Sequence, residues 1–281
     1  MSGCILKSYG EILKDLDPKV RNILDKIPKK GFQRLPSEWL HWQILERFKI
    51  LEYAQILEGS NILEIGCGSH AMATIPLAAL VGEKGSVVAL DLGRWGNFCE
   101  YLMQSGLSLR VLPIQVDARE TSFPCSCFDL VTCIHGVRSF DSRESVVKAV
   151  KEMLRVTKNR IFIVESSPFV KTKAQKAHIA MYNLRHPTFT ALGRGHLGDL
   201  HYFTPEELQN IVLEAGASKV GLQIVDVDMP HHLAYFPFDE IKQIKNHIIR
   251  EDLERKWRAA LEMLDTYGEE HPPVIVITAW K

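Results

Sequence analysis

From residue 61 onward the chain alternates short, unbroken apolar runs with stretches whose apolar residues recur every three or four positions. The apolar runs fall at 61–65, 86–90, 108–115, 128–134 and 160–164. Runs of this length without polar alternation predict strands covered on both faces. The intervening stretches 71–81, 95–105 and 142–156 carry helical spacing. Strands separated by helices predict βαβ units with right-handed crossovers and a parallel sheet. Further along, Thr204-Pro-Glu-Glu-Leu opens another helix, in which Thr204 and Glu207 form a capping box and Pro205 occupies the first turn. Strands over 219–227 and 274–280 complete the pattern.

Two regions stand outside that repeat. Residues 1–58 read as an amino-terminal helical cap ahead of a 59–281 domain. The cap's clearest element runs from 37 to 57, where Leu40, Ile44, Leu45, Phe48, Leu51 and Ala54 share a face that Trp39 and Trp42 widen. Within the domain, about 170–203 and about 229–272 are too long for simple connections, and the second is expected to hold a polar helix from Phe238 to about Leu264. Insertions at strand ends are where substrate specificity commonly resides.

Composition narrows the class. Hydrophobic residues make up 46% and charged residues 24% of the 281, as in a water-soluble globular protein. Lys+Arg and Asp+Glu both number 34, so no overall field draws the chain to nucleic acid. No apolar run approaches the roughly 20 residues of a membrane helix, and the first residues lack a signal-peptide core. Six cysteines, Cys4, Cys67, Cys99, Cys125, Cys127 and Cys133, show no zinc-knuckle spacing. A reducing, cytoplasmic compartment without disulfides or metal is therefore expected. His196, His201, His231 and His232 lack the helical spacing of a zinc site.

The candidate chemistry sits at the strand ends. Asn61-Ile-Leu-Glu-Ile-Gly-Cys-Gly-Ser-His70 turns from an apolar strand through Gly66, Cys67 and Gly68 into a helix, aiming backbone N–H groups beyond the strand. Glu64 precedes the first glycine by two residues, and His70 stands where the dinucleotide fingerprint has its third glycine. A pyrophosphate disfavours a nearby carboxylate, whereas a cofactor bearing an amine and a sulfonium favours it. That asymmetry points to S-adenosylmethionine rather than NAD. Asp91, with Leu92 behind it, ends the second strand where an acid can hold two ribose hydroxyls. Asp117 and Ala118 end the third, where a carboxylate can accept from an exocyclic amine and a backbone N–H can donate to a ring nitrogen.

With these elements in order, the chain resembles the class I S-adenosylmethionine-dependent methyltransferases, and among them the UbiE-like group. The resemblance covers about residues 58–225. It rests on Leu63-Glu-Ile-Gly-Cys-Gly68, Val88-Ala-Leu-Asp91, Val116-Asp-Ala118, Phe128-Asp-Leu-Val131 and Tyr202-Phe-Thr-Pro-Glu-Glu-Leu208. It implies an α/β, Rossmann-like, mostly parallel sheet of seven strands in the order 3-2-1-4-5-7-6, flanked by helices. It also implies that Glu64, Gly66, Cys67, Gly68, His70, Asp91, Leu92, Asp117, Ala118 and His135 bind the cofactor. His70 is a departure from the family pattern, positioned to crowd the turn or to touch the cofactor carboxylate.

The same resemblance brings the end of the fourth strand close to the reactive methyl. His135 is a candidate base there and Glu165 a second one, with Tyr202 as a substrate contact from the first insertion. The expected activity is methyl transfer to a small-molecule acceptor. An anionic acceptor is favoured by Lys171, Lys173, Lys176, Arg185 and Arg194, set against one acid, Asp199. RNA or protein methylation and a non-catalytic cofactor-binding regulatory module remain alternatives. The motif that many base-amine methyltransferases carry after the fourth strand is absent, because His135-Gly-Val-Arg138 stands there. NAD-dependent oxidoreduction is disfavoured by Glu64 and His70. The sequence does not specify the acceptor atom or the oligomeric state.

Overall fold

The computed structural model describes residues 9–29, 38–93, 95–194, 203–227 and 238–281. Its elements are, in order, α1 (Tyr9–Asp15), α2 (Pro18–Leu24), α3 (Trp39–Leu51), β1 (Asn61–Ile65), α4 (Thr74–Leu80), β2 (Ser86–Asp91), α5 (Phe98–Ser105), β3 (Val111–Gln115), β4 (Phe128–Ile134), α6 (Arg143–Val156), β5 (Thr157–Ser166), α7 (Lys173–Tyr182), α8 (Arg185–Ala191), α9 (Pro205–Glu214), β6 (Lys219–Val225), α10 (Phe238–Lys242), α11 (His247–Tyr267) and β7 (Val274–Trp280). The seven strands form one sheet in the order β3-β2-β1-β4-β5-β7-β6. Only β7 runs antiparallel to its neighbours. Order and direction agree with what the family resemblance implies.

Each central strand sends alternate residues into two cores. Ile62, Val87, Leu130, Phe162, Val164 and Val276 meet α2–α5 on one face, whereas Leu63, Leu90, Val131, Ile161, Ile163 and Ile277 meet α6 and α9 on the other. Both faces being covered explains why these strands read as unbroken apolar runs. The capping box at Thr204 is present, with Glu207 N–H donating to its hydroxyl at 3.1 Å.

Several boundaries differ from the pattern-based expectation. The helices expected at 37–57, 71–81 and 95–105 and the strand at 219–227 are shorter, as Trp39–Leu51, Thr74–Leu80, Phe98–Ser105 and Lys219–Val225. Three further differences have a physical reason. Residues 108–110 form a 3₁₀ turn ahead of β3. There Leu109 is fully exposed, so its hydrophobicity reports no strand. β5 extends to ten residues because the polar Thr157 also pairs in the sheet, opposite Phe128 and across a register shift from Arg160. The expected long helix from Phe238 divides into α10 and α11, with Asn246 capping the second through its side chain. The first insertion folds as α7 and α8, and α7 lies along α11 around a satellite core of Met181, Leu184, Ile241, Ile244 and Leu253. No helix among the described residues is long and apolar enough to cross a membrane.

The amino-terminal cap is continuous with the sheet core. Leu24, Leu40, Ile44, Ile50 and Leu51 belong to the same buried cluster as Ile62 and Phe162. Arg160 of β5 donates to Ala54 O (2.6 Å) and Gln55 O (3.0 Å), tying the end of α3 to the sheet. Truncating the fully buried Ile44 to Ala should therefore cost about 2–5 kcal/mol of global stability. Tryptophan fluorescence, dominated in the cap by Trp39 and Trp42, should report the same unfolding midpoint as far-UV circular dichroism. An earlier fluorescence transition would show the cap melting on its own.

Candidate functional site

The sheet order reverses direction between β1 and β4, and a crevice opens beyond the carboxyl ends of strands at such a point. The loops leaving those strands almost touch. A Cβ on Gly66 would lie 3.7 Å from Gly136 Cα, and one on Gly136 would lie 2.7 Å from Cys133 Sγ. Gly66 and Gly68 both adopt left-handed φ, +71° and +68°, which glycine alone takes without strain. The Gly66 and Cys67 N–H groups donate to Leu90 O at 2.8 and 3.1 Å, fixing the turn against β2.

Two acids hold this turn from opposite sides. Asp91 accepts the Gly68 N–H at 2.9 Å. Glu64, 1% exposed, lies beneath the turn and accepts from Thr74 Oγ1, in the first turn of α4, at 2.6 Å. Burial pushes the Glu64 carboxyl up to about 8, and the neighbouring Asp91 charge adds to the effect. Cys67 is likewise buried, with its thiol pushed up by burial. His70 packs edge-on to Trp39 (5.8 Å between centroids) and beside Tyr101 (6.0 Å), with Ser69 Oγ 2.7 Å from Nδ1.

A cavity of about 230 Å³ opens over the ends of β1, β2 and β3. Gly66, Asp91, Leu92, Asp117 and Ala118 line it, as do Arg119, Phe140 and Asp141, which sequence reasoning did not single out. Arg119 grips Asp117 through Nε (3.0 Å) and Nη2 (2.6 Å) and holds its carboxyl below the ordinary aspartate range. Three acids against one arginine make this lining unsuitable for a pyrophosphate and suited to a neutral or cationic nucleoside. Phe140 adds an apolar face for a base. The lining thus fits S-adenosylmethionine, since its carboxylates can accept from hydroxyl and amine groups.

A second cavity, about 200 Å³, adjoins the first and is enclosed by α3, α7 and the ends of β4 and β5. Its lining is charged yet deeply buried. His135, at φ +54°, follows β4, and its N–H donates to Val164 O at 2.8 Å. Its Nε2 lies 2.8 Å from Glu46 Oε1, and the same oxygen lies 3.1 Å from His271 Nε2. Nδ1 is buried without a hydrogen-bond partner, 4.0 Å from Glu165 Oε2. Glu165 accepts from Arg138 Nε at 3.0 Å and from the Arg138 N–H at 3.3 Å. Arg47 pairs with Glu46 and donates to Gln43 Oε1 at 2.6 Å. Burial, reinforced by Arg138 and Arg47, holds His135 well below its ordinary value and therefore neutral at pH 7.

Of the cations in the first insertion, Arg185 alone lines this cavity, its guanidinium over the Tyr182 ring at 5.3 Å. Lys171 pairs with Asp226 at 2.5 Å, Lys173 lies over the Tyr267 ring at 4.7 Å, and Arg194 is exposed. Tyr202, His196, His201, His231 and His232 lie outside the described residues. Among the described residues, no group of three or more His, Cys, Asp or Glu side chains is arranged to hold a metal ion.

Comparison with known proteins gives consistent answers. The family model described as the ubiE/COQ5 methyltransferase family matches residues 16–194. The ubiquinone/menaquinone biosynthesis C-methyltransferase UbiE of Azotobacter vinelandii is 31% identical over 137 residues, covering 47% of this chain and 51% of that protein. Its namesake from Pseudomonas aeruginosa (strain LESB58) is 31% identical over 180 residues, covering 62% and 64%. The chain thus spans between half and two thirds of the length of these curated relatives. Among solved structures, a cyclopropane-fatty-acyl-phospholipid synthase-like protein from Lactobacillus casei superposes with a TM-score of 0.70 at 18% identity, over 95% of this chain and 100% of that one. The YcgJ protein of Bacillus subtilis gives 0.51 at 17% identity, over 84% and 97%. At such identities these likenesses concern the fold.

The buried Glu64 makes a prediction about pH. Its folded-state value is raised above the unfolded one, so the native state keeps a proton that the unfolded chain has released between about pH 4.5 and 8. Stability from this group is present at low pH and declines as pH rises through that window. Glu64→Gln retains an acceptor for Thr74 and removes the titration. Relative to the variant, the wild type should lose on the order of a few kcal/mol between about pH 5 and 8, read from denaturant midpoints. Parallel curves for the two proteins would show that Glu64 does not titrate in this range.

Proposed function

Because the chain belongs to the ubiE/COQ5 methyltransferase family, we propose that it transfers a methyl group from S-adenosylmethionine to a small-molecule acceptor bound in the polar cavity beside α3 and α7. One observation carries this reading: successive residues divide between the two cavities. Gly136 lines the nucleoside-sized cavity, while His135 and Arg138 line the polar one. A cofactor in the first and an acceptor in the second would meet at the Gly66–Gly136 contact. When bound, S-adenosylmethionine supplies an electrophilic methyl on sulfonium sulfur. The chain's own part is to align the acceptor, exclude water and manage a proton.

The curated relatives are named as C-methyltransferases of ubiquinone and menaquinone biosynthesis. Carried to this chain, that suggests an electron-rich ring carbon of quinol type as the acceptor. A ring carbon that gains a methyl must lose its hydrogen as a proton, and neutral His135 offers an unpartnered Nδ1 to receive it. The imidazolium so formed would lie between Glu46 and Glu165. Arg185 would hold an acceptor oxygen as its anion, raising electron density on the ring.

Two measurements test this. Asp91→Ala should weaken binding of S-adenosylmethionine and of its demethylated product by about 1–3 kcal/mol, the cost of losing hydrogen bonds to a charged acceptor. Calorimetry showing no wild-type binding, or equal affinities, would refute the cofactor site. For the acceptor, the full chain is given methyl-labelled cofactor with a water-soluble naphthoquinol, bulk RNA or a protein extract. Label should enter the quinol, with His135→Gln lowering kcat by about 10²–10⁴-fold and Arg185→Ala chiefly raising KM. Label in RNA or protein instead would redirect the assignment.

A further inference from the structure

We propose that Glu46, contributed by the amino-terminal cap, is a positioning residue for His135, a residue of the polar cavity's wall, binding its Nε2–H so that Nδ1 is kept as a bare acceptor. The proposal rests on the reading of that cavity as the acceptor site. It concerns a residue distant in sequence, since Glu46 and His135 are separated by 89 positions.

A carboxylate buried to 2% exposure needs partners, and Arg47 beside it already supplies the charge. Neutralising Glu46 therefore does not require a histidine. His135, for its part, bears two costs that a merely packed histidine avoids. Its backbone is left-handed, a strained conformation outside glycine. Its Nδ1 is buried without a hydrogen-bond partner, a second unfavourable feature. Both fall on one residue at the wall of a cavity, which is where strain and unmet hydrogen bonding signal a ligand.

The tautomer follows from the contacts. An ionised Glu46 oxygen only accepts, so the imidazole nitrogen 2.8 Å away must carry the hydrogen, and the neutral ring leaves Nδ1 with its lone pair. Glu165, 4.0 Å from Nδ1, is beyond hydrogen-bond reach and accepts from Arg138 instead. When the acceptor proton moves to Nδ1, a new N–H bond forms and the electron pair of the broken bond stays on the acceptor. The ring then carries one positive charge, with Glu46 on one side and Glu165 on the other. The groups facing the ring are Glu46 and Arg47 from α3, Arg138 after β4, Glu165 from β5 and His271 ahead of β7. Two carboxylates oppose two guanidiniums, so the site is close to neutral before the proton arrives.

Nitrogen-15 spectra of the histidine-labelled full chain read the tautomer directly, with the His135 signal assigned by its loss in His135→Asn. We expect a neutral ring with hydrogen on Nε2 and a bare Nδ1 between about pH 6 and 8. Hydrogen on Nδ1, or a charged ring at pH 7, would overturn the proposal without any variant. Glu46→Ala should spread the signal over both tautomers, and an unchanged tautomer would also overturn it. Because that variant strands Arg47 and can fail to fold, Glu46→Leu/Arg47→Met removes the pair together and should give the same redistribution. Glu46→Gln, which keeps a carbonyl acceptor, should restore the Nε2–H form. With the quinol acceptor, Glu46→Ala should lower kcat by about 10-fold or more, Glu46→Gln by less, each with cofactor affinity within about two-fold of wild type. A chain that binds no cofactor but shows the expected tautomer refutes the wider functional reading and leaves the positioning role standing. A chain that binds cofactor with hydrogen on Nδ1 refutes the positioning role alone.

Discussion

The arrangement depends on how closely β1 and β4 approach where the sheet order reverses. Their trailing loops meet backbone to backbone at Gly66 and Gly136, and a side chain at Gly136 would strike Cys133 Sγ at 2.7 Å. The two cavities open on either side of that contact. The turn after β1 faces the strand-end acids on the β2 side. The chain after β4 must reverse within a residue, and His135 takes the left-handed conformation that turns it toward α3. On the proposed reading, this contact separates the cofactor cavity from the side on which an acceptor is met.

Burying Glu46, Arg47, Arg138 and Glu165 around that point is not an economical way to stabilise a protein. Desolvation of paired charges in a low-dielectric interior roughly cancels their attraction, and apolar residues of similar volume commonly do as well or better. Several of these groups also share atoms: one Glu46 oxygen meets two imidazoles, and Arg138 spans Glu165 and the His135 carbonyl. Shared partners fix geometry, because moving one group unsatisfies another. The cap contributes half of these charges while its apolar face is continuous with the sheet core. The cap is thereby a wall of the site as well as part of its scaffold.

The parts of the molecule legible in the sequence are those encoded locally. Strands covered on both faces announce themselves as apolar runs, and the turns after β1 and β2 carry glycines and acids at fixed offsets from them. Where polarity and burial part company, the signal fails: Leu109 is apolar but exposed, and Thr157 is polar but buried and paired in the sheet. The site was legible to the same extent. Asp91, Asp117 and His135 follow strands and could be picked out. Arg119 and Phe140 sit in loops without a pattern, although a cation two residues past an aspartate was a usable hint for the first. Glu46 was hidden because its helix reads as an apolar stripe, and a buried carboxylate within that stripe marks itself only once its distant partner is known. His70, read as a departure that could crowd the turn or touch the cofactor carboxylate, also packs beside Trp39 and Tyr101, a contact that no local spacing encodes.

On the proposed reading, the two cavities also divide charge according to its task. On the cofactor side the acids are partly exposed, and Arg119 keeps Asp117 ionised well below neutral pH, which suits groups that need only accept hydrogen bonds. On the polar side burial holds His135 neutral, while two carboxylates stand ready on either edge of the ring. Neutrality makes the ring able to take a proton, and the carboxylates lower the cost of its having done so. A more exposed histidine would gain a solvated charge but lose its fixed tautomer, and one buried without carboxylates would resist charging altogether. Placing the ring between acids supplied by α3 and β5 resolves that opposition, and it does so only while the cap remains docked on the sheet.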